Sequence, residues 1–144
     1  MSIADIIQHK GHHVVKARPT DTVQSVVRQL AEDRIGAVVV EDSWMKPVGI
    51  FSERDFLNAA AKHGASVLTM TVESLMSTRI VSCRPSDQVE TALATMTLAR
   101  IRHLPVIEDG KLLGIVSIGD LVKHRLDEKA LEAKVLLDLT RARA

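Results

Sequence analysis

Apolar residues fall at Val23, Val26, Val27 and Leu30, and again at Val89, Ala92, Leu93 and Met96. Steps of three and four residues put each set on one face of a helix, so two amphipathic helices are predicted, ending near Arg34 and Arg100. Gly36, just past the first, reads most simply as its left-handed C-terminal glycine. A short extended run precedes each helix, residues 14–17 and 80–83, and soon meets Pro19 or Pro85, which discourages further sheet. Asp21 and Asp87 are the expected N-caps, with Gln24 and Glu90 three residues on, close to a capping-box pattern. Branched residues after each helix predict a second strand, 37–40 and 104–107. Asp109-Gly110 signals a tight hairpin, and residues 42–47 are its longer counterpart. A third strand follows at 48–51 and 112–116, and a second helix opens near 52–55 and 117–120.

The order strand–helix–strand–strand–helix therefore occurs twice. Val14-Val15-Lys16-Ala17-Arg18-Pro19-Thr20-Asp21-Thr22-Val23 aligns with Ile80-Val81-Ser82-Cys83-Arg84-Pro85-Ser86-Asp87-Gln88-Val89 at an offset of 66 residues. With the register changed by one, Gly49-Ile50-Phe51-Ser52-Glu53-Arg54-Asp55 aligns with Gly114-Ile115-Val116-Ser117-Ile118-Gly119-Asp120. Such self-similarity marks a duplication. The chain divides into an N-terminal segment (1–13), a first repeat (14–66), a second repeat (67–126) and a C-terminal amphipathic helix (127–144). A unit of about 60 residues buries only about 60% of its unfolded surface and is marginal alone. Two α/β units packed with pseudo-two-fold symmetry solve this, and their seam creates two related clefts where ligands favour binding.

Composition narrows the function. Nineteen basic and eighteen acidic residues give a net charge of +1, and two Phe, one Trp and no Tyr offer almost no stacking platform. Neither nucleic acid nor an anionic membrane is an expected partner. No apolar run approaches about 20 residues, and residues 1–5 lack a signal-peptide pattern, so a cytoplasmic location is expected. Cys83, the only cysteine, suits a reducing compartment and is read as packing rather than redox chemistry. His9, His12 and His13 are close enough to suggest zinc, but no suitable companion beyond Asp5 is near, so no metal is expected and the segment is read as mobile.

On the two Gly-x-x-Ser-x-x-Asp stretches, and on Ile101-Arg102-His103-Leu104-Pro105-Val106, the sequence resembles a tandem pair of CBS domains, the cystathionine-β-synthase-type regulatory module. The resemblance covers residues 14–125. It implies an adenosine ligand in one or both clefts, with Asp55 or Asp120 accepting the ribose hydroxyls. A carboxylate can take both hydroxyls of a cis-diol with charge-assisted strength. Ser52 and Ser117 open the following helices, whose N–H groups suit phosphate. Arg54 supplies a forked cation in the first copy; the second has Gly119 there and compensates with Arg102 and His103. By the same resemblance the Asp55 cleft draws on Thr78, Val81, Ile101 and Arg102 from the other copy. The Asp120 cleft draws on Val15, Ile35, Gly36 and Ala37, with His103 from its own.

Ser-x-x-Asp at a helix start is equally a capping box, which does not preclude binding. The expected function is a regulatory sensor of AMP or ATP with no catalytic residues. NAD(H) or S-adenosylmethionine shares the adenosine and stays an alternative, as does a ligand-free dimerisation module. No Gly-x-Gly-x-x-Gly, nucleophile–base arrangement or spare length suggests an enzyme. Leu131, Val135, Leu136 and Leu139 form an apolar stripe that should pack on the module or on a second chain. The resemblance favours a homodimer, and whatever protein is regulated is not named by the sequence.

Overall fold

The computed structural model describes residues 1–11 and 14–142. The first repeat holds β1 (Lys16–Ala17), α2 (Val23–Asp33), β2 (Ala37–Glu41), β3 (Pro47–Ser52) and α3 (Glu53–His63). The second holds α4 (Val89–Ala99), β4 (His103–Glu108), β5 (Lys111–Ser117) and α5 (Ile118–Ala142). A further helix, α1 (Ile3–Lys10), precedes both, and two 3-10 turns, Gly64–Thr69 and Val72–Ser74, join them. In the first sheet β1 runs parallel to β2, which pairs antiparallel with β3; in the second, β4 pairs antiparallel with β5. Both hairpins carry a register irregularity at aligned places, Val40/Glu41 and Val106/Ile107. α2 and α4 end alike, on left-handed Arg34 and Arg100 with φ of 54° and 57°. The duplication is visible residue by residue.

Several sequence expectations are corrected. The helix N-caps are Thr22 and Gln88, not Asp21 and Asp87. Each Asp instead closes the preceding turn, accepting the N–H of Arg18 at 2.8 Å or of Arg84 at 2.9 Å. Local bonding of the side chain to the backbone of the preceding turn competes with capping the helix that follows. Gly36 is not the left-handed residue; Arg34 is. Gly36 instead allows a close approach: a Cβ there would lie 2.7 Å from Nε2 of His103, so that imidazole would have to shift.

The first strands are shorter than expected. Residues 14–17 contribute only Lys16–Ala17, and 80–83 only one parallel bridge, Cys83 to Val106. Cys83 donates to Pro105 O and accepts from Ile107 N, both at 2.9 Å. Pro105 has no N–H with which to carry that pairing back to Val81. Val81 is thereby left at the seam.

The largest correction concerns residues 3–10, which are helical and docked rather than mobile. Ile3, Ile6 and Ile7 are buried in the core of the second repeat with Val89, Met96, Leu104 and Leu121. Backbone bonds hold the segment: Ile3 N to Asp87 O at 2.8 Å and Ala4 N to Pro85 O at 2.9 Å. Residues 72–76 do the same for the first repeat, with Val72 N bonded to Asp21 O at 2.8 Å and Val72 buried in its core. Each repeat is completed by the stretch that precedes the other. Burying three isoleucines this way supplies about 1.5–3 kcal/mol each, so the second repeat depends on it. His12 and His13 lie outside the described residues.

α5 is continuous across the boundary expected near residue 126, about 38 Å long at 1.5 Å per residue. Leu131, Val135, Leu136 and Leu139 are 63%, 47%, 65% and 56% exposed. The stripe does not dock on its own module.

Candidate functional site

The strand-to-helix turn after β3 sets Ser52 as the N-cap of α3. Ser52 Oγ accepts the N–H of Asp55 at 3.3 Å, and Asp55 Oδ2 accepts the N–H of Ser52 at 2.9 Å and its hydroxyl at 3.1 Å. After β5 the same box forms: Ser117 N to Asp120 Oδ2 at 2.8 Å, Asp120 N to Ser117 Oγ at 3.1 Å. The capping role is therefore real in both halves. It uses one carboxylate oxygen; among the described residues Oδ1 of neither Asp takes a hydrogen bond. A carboxylate held this way presents its second oxygen in a fixed direction.

On the Asp55 side a cavity of about 240 Å³ opens across the seam. The first repeat contributes Gly36, Ile50 and the start of α3, Ser52 through Asp55; the second contributes Val81, Ile101, Arg102 and His103. Ser77, Arg79 and Arg100 complete the wall. Ile50, Val81 and Ile101 make an apolar patch, while Arg54, Arg79, Arg100 and Arg102 face two acids, Glu53 and Asp55. None of these arginines is in an ion pair among the described residues. The lining thus combines an apolar patch with more basic than acidic side chains.

Most of the expected Asp55 set is thus assembled: Ser52, Arg54, Asp55, Val81, Ile101 and Arg102. Thr78 is exposed and does not line the cavity. Gly36 and His103, expected with Asp120, line this cavity instead. Burial is the main influence on His103 and lowers its affinity for a proton below the ordinary value of 6.5; Glu53 and Asp120 pull the other way. The imidazole therefore faces the cavity neutral at pH 7.

The Asp120 side differs. Lys10, the last residue of α1, places Nζ 2.7 Å from Asp120 Oδ2 and 2.9 Å from the carbonyl of Ile115. Burial opposes ionisation of Asp120, but the hydrogen bonds from Lys10 and Ser117 outweigh it and hold the carboxyl below the usual range. The cavity beside it, about 580 Å³, lies between α1 and α5 and is lined by His9, Lys10, Lys123, His124, Asp127 and Glu128 among others. Val15, Ile35, Gly36 and Ala37 do not line it. Val15 and Ile35 pack on the first core, and Ala37 is buried in β2. Gly119 is exposed in the first turn of α5, and no group of metal ligands forms among the described residues. Cys83 is buried, which pushes its thiol up to about 12 and leaves it inert at neutral pH.

Ile50, Glu53, Ser77, Arg79 and Arg100 of the Asp55 cavity, and Lys10 beside Asp120, are the residues that motif reading missed. A signal existed for Lys10 and Arg79. Met1-Ser2-Ile3 echoes Met70-Thr71-Val72, Ile6-Ile7 echoes Leu75-Met76, and Lys10 stands where the second stretch has Arg79. The repeat extends further upstream than residue 14.

Two like α/β halves, each completed by the other's leading segment, with a cleft at their seam, define the class of duplicated ligand-cleft modules. The sequence model of the CBS domain matches twice, at residues 3–62 and 72–127. The chain belongs to the CBS domain family, as a tandem pair. It is 32% identical to the mitochondrial CBS domain-containing protein CBSX3 of Arabidopsis thaliana, across 93% of this chain and 71% of that one. The CBS domain-containing protein YhcV of Bacillus subtilis is 30% identical, with 81% and 82% covered. Among solved structures, a CBS-domain protein of Agrobacterium tumefaciens superimposes with a TM-score of 0.84 at 38% identity, over 87% of this chain and 99% of that one. No helix among the described residues is long and apolar enough to cross a membrane.

Proposed function

We propose that the chain is a regulatory sensor without catalytic activity that binds an adenine nucleotide, AMP or ATP, in the Asp55 cleft. The observation that carries this is one seam cavity lined by an apolar patch, an anchored carboxylate and four arginines outside any ion pair among the described residues. In this reading Ile50, Val81 and Ile101 pack the base, Asp55 Oδ1 accepts the ribose diol, and the arginines take phosphate with the N–H groups at the start of α3. The volume sits just under the range of about 300–1,000 Å³ usual for small-molecule sites, which suits a nucleoside body with its charged tail in the mouth. Proteins built as CBS pairs are typically regulatory.

A second reading has one specific support. A CBS pair solved with 5′-methylthioadenosine and S-adenosyl-L-methionine shares this fold, at a TM-score of 0.80 and 20% identity. The four arginines in the lining argue against a sulfonium cation here, since guanidinium groups repel it. NAD(H) would enter through its AMP half. Homodimerisation through the exposed stripe of α5 accompanies this reading, and a hexameric CBS-CP12 protein, 30% identical, supports self-association as a property of such chains. The regulated partner is another protein. Its signal requires two arrangements of the halves that bind the nucleotide unequally. The buried Cys83 suits a reducing compartment, in keeping with a cytoplasmic placement.

Thermal-shift measurements with AMP, ADP, ATP, NAD, NADH and S-adenosylmethionine test the proposal. A ligand specific to the folded state raises the melting temperature. AMP or ATP should do so and S-adenosylmethionine should not; the reverse ranking refutes the nucleotide reading.

A further inference from the structure

The stretches ending in Lys10 and Arg79 are equivalent in the duplication, yet their final basic residues do different things. After the Val72–Ser74 turn the second stretch runs extended, and Ser77 exchanges two backbone hydrogen bonds of 2.9 Å with Ile50. The carbonyl of Ile50 is thus satisfied by backbone, and Arg79 stands exposed on the wall of the Asp55 cavity. The first stretch stays helical to Lys10. The aligned carbonyl, Ile115, is satisfied by the Lys10 ammonium, which also bonds Asp120. One carboxylate is open; its twin already has a cation.

Resting on the nucleotide reading of the Asp55 cleft, we propose that the residue closing each exchanged stretch decides whether its cleft takes a ligand. Lys10 is the built-in occupant of the Asp120 side, and Arg79 is a phosphate-contacting residue of the Asp55 side. A ribose diol reaching the spare Oδ1 of Asp120 meets a carboxylate whose charge is already matched by an ammonium 2.7 Å from Oδ2, and that ammonium also pins the adjoining strand carbonyl. The contact is local: α1 is anchored by Ile3, Ile6 and Ile7, so exchanging Lys10 frees Asp120 without releasing the helix. With the two side chains 35% and 27% exposed, an ion pair of this kind shifts a competing equilibrium by about fivefold. The lowered pKa of Asp120 agrees with a standing cationic partner.

Calorimetric titration of the full chain with ATP, together with NMR titration of the Asp120 carboxyl, tests this. Wild type should take one ATP per chain. Lys10→Ala should bring into range a second, weaker step, about fivefold tighter than the same site in wild type, where it falls below detection, and that step is lost again in Lys10→Ala combined with Asp120→Ala. Arg79→Ala should weaken ATP about fivefold while adenosine changes less than twofold. Two ATP in wild type, a second step weakened by Lys10→Ala, or equal losses for ATP and adenosine in Arg79→Ala each overturn the proposal. Absence of ATP binding in every variant refutes the nucleotide reading itself. The occupant role is then decided by the carboxyl titration: it stands if Lys10→Ala raises the Asp120 pKa, and falls if the two curves coincide.

Discussion

The Asp55 and Asp120 sides of the seam start from one motif and end differently. Both hold Ser-x-x-Asp as a closed capping box with one oxygen to spare. On the Asp55 side the neighbouring stretch turns, runs extended and leaves a cavity walled by both halves. On the Asp120 side it remains a helix and delivers Lys10 to the acid. The acid alone does not define a ligand site. What lies across from it does, and that is set by a segment remote in sequence.

The comparison can be broken most strongly at the exchanged segments. Ile3 is fully buried, so Ile3→Ala should destabilise the fold by about 2–5 kcal/mol in urea unfolding, as for any large core truncation. A change within about 0.5 kcal/mol would make the segment a passive tail. At the site, Asp55→Ala should cost ATP affinity about ten- to a hundredfold in calorimetry, the worth of charge-assisted bonds to a diol. A loss below twofold would remove the ribose role. Gly36→Ala places a Cβ against His103 and should cost about 1–2 kcal/mol of stability while also weakening ATP, since that imidazole lines the cavity. Alanine at Gly119 on the other side, where the nearest atom would be 3.6 Å away, should be tolerated.

The smallest effect is that of pH. Burial depresses the His103 pKa in the folded state below 6.5. The folded protein then binds fewer protons than the unfolded chain, so this stabilisation is complete above about 6.5 and is lost as pH falls through the lowered value. Melting temperature should decline on acidification from pH 7 to 5, and His103→Gln should flatten the decline. An identical slope in the variant would show that the imidazole is not what titrates.

Much of this was legible from residues. The periods of α2 and α4, the branched strands with their hairpin turns and the two Ser-x-x-Asp boxes are local patterns, and local patterns survive into the fold. Where reading failed, a competing bond decided the outcome. Asp21 and Asp87 look like caps but are used by the turns before them. Residues 80–83 look like a strand, yet Pro105 withholds the donor that would extend it. The role of residues 1–10 was missed because their apolar face, Ile3, Ile6 and Ile7, is completed by a core more than eighty residues away. Arg79 and Arg100 carry no motif; only the closing of the seam brings them to Asp55.

The most direct test is to titrate ATP into isotopically labelled protein and follow backbone amide shifts. The account predicts the largest changes at Ser52 through Asp55, Arg79, Val81 and Ile101 through His103, with α1 and the start of α5 nearly unmoved. Changes concentrated at Ser117 through Asp120 and Lys10, with the Asp55 cleft silent, would contradict it.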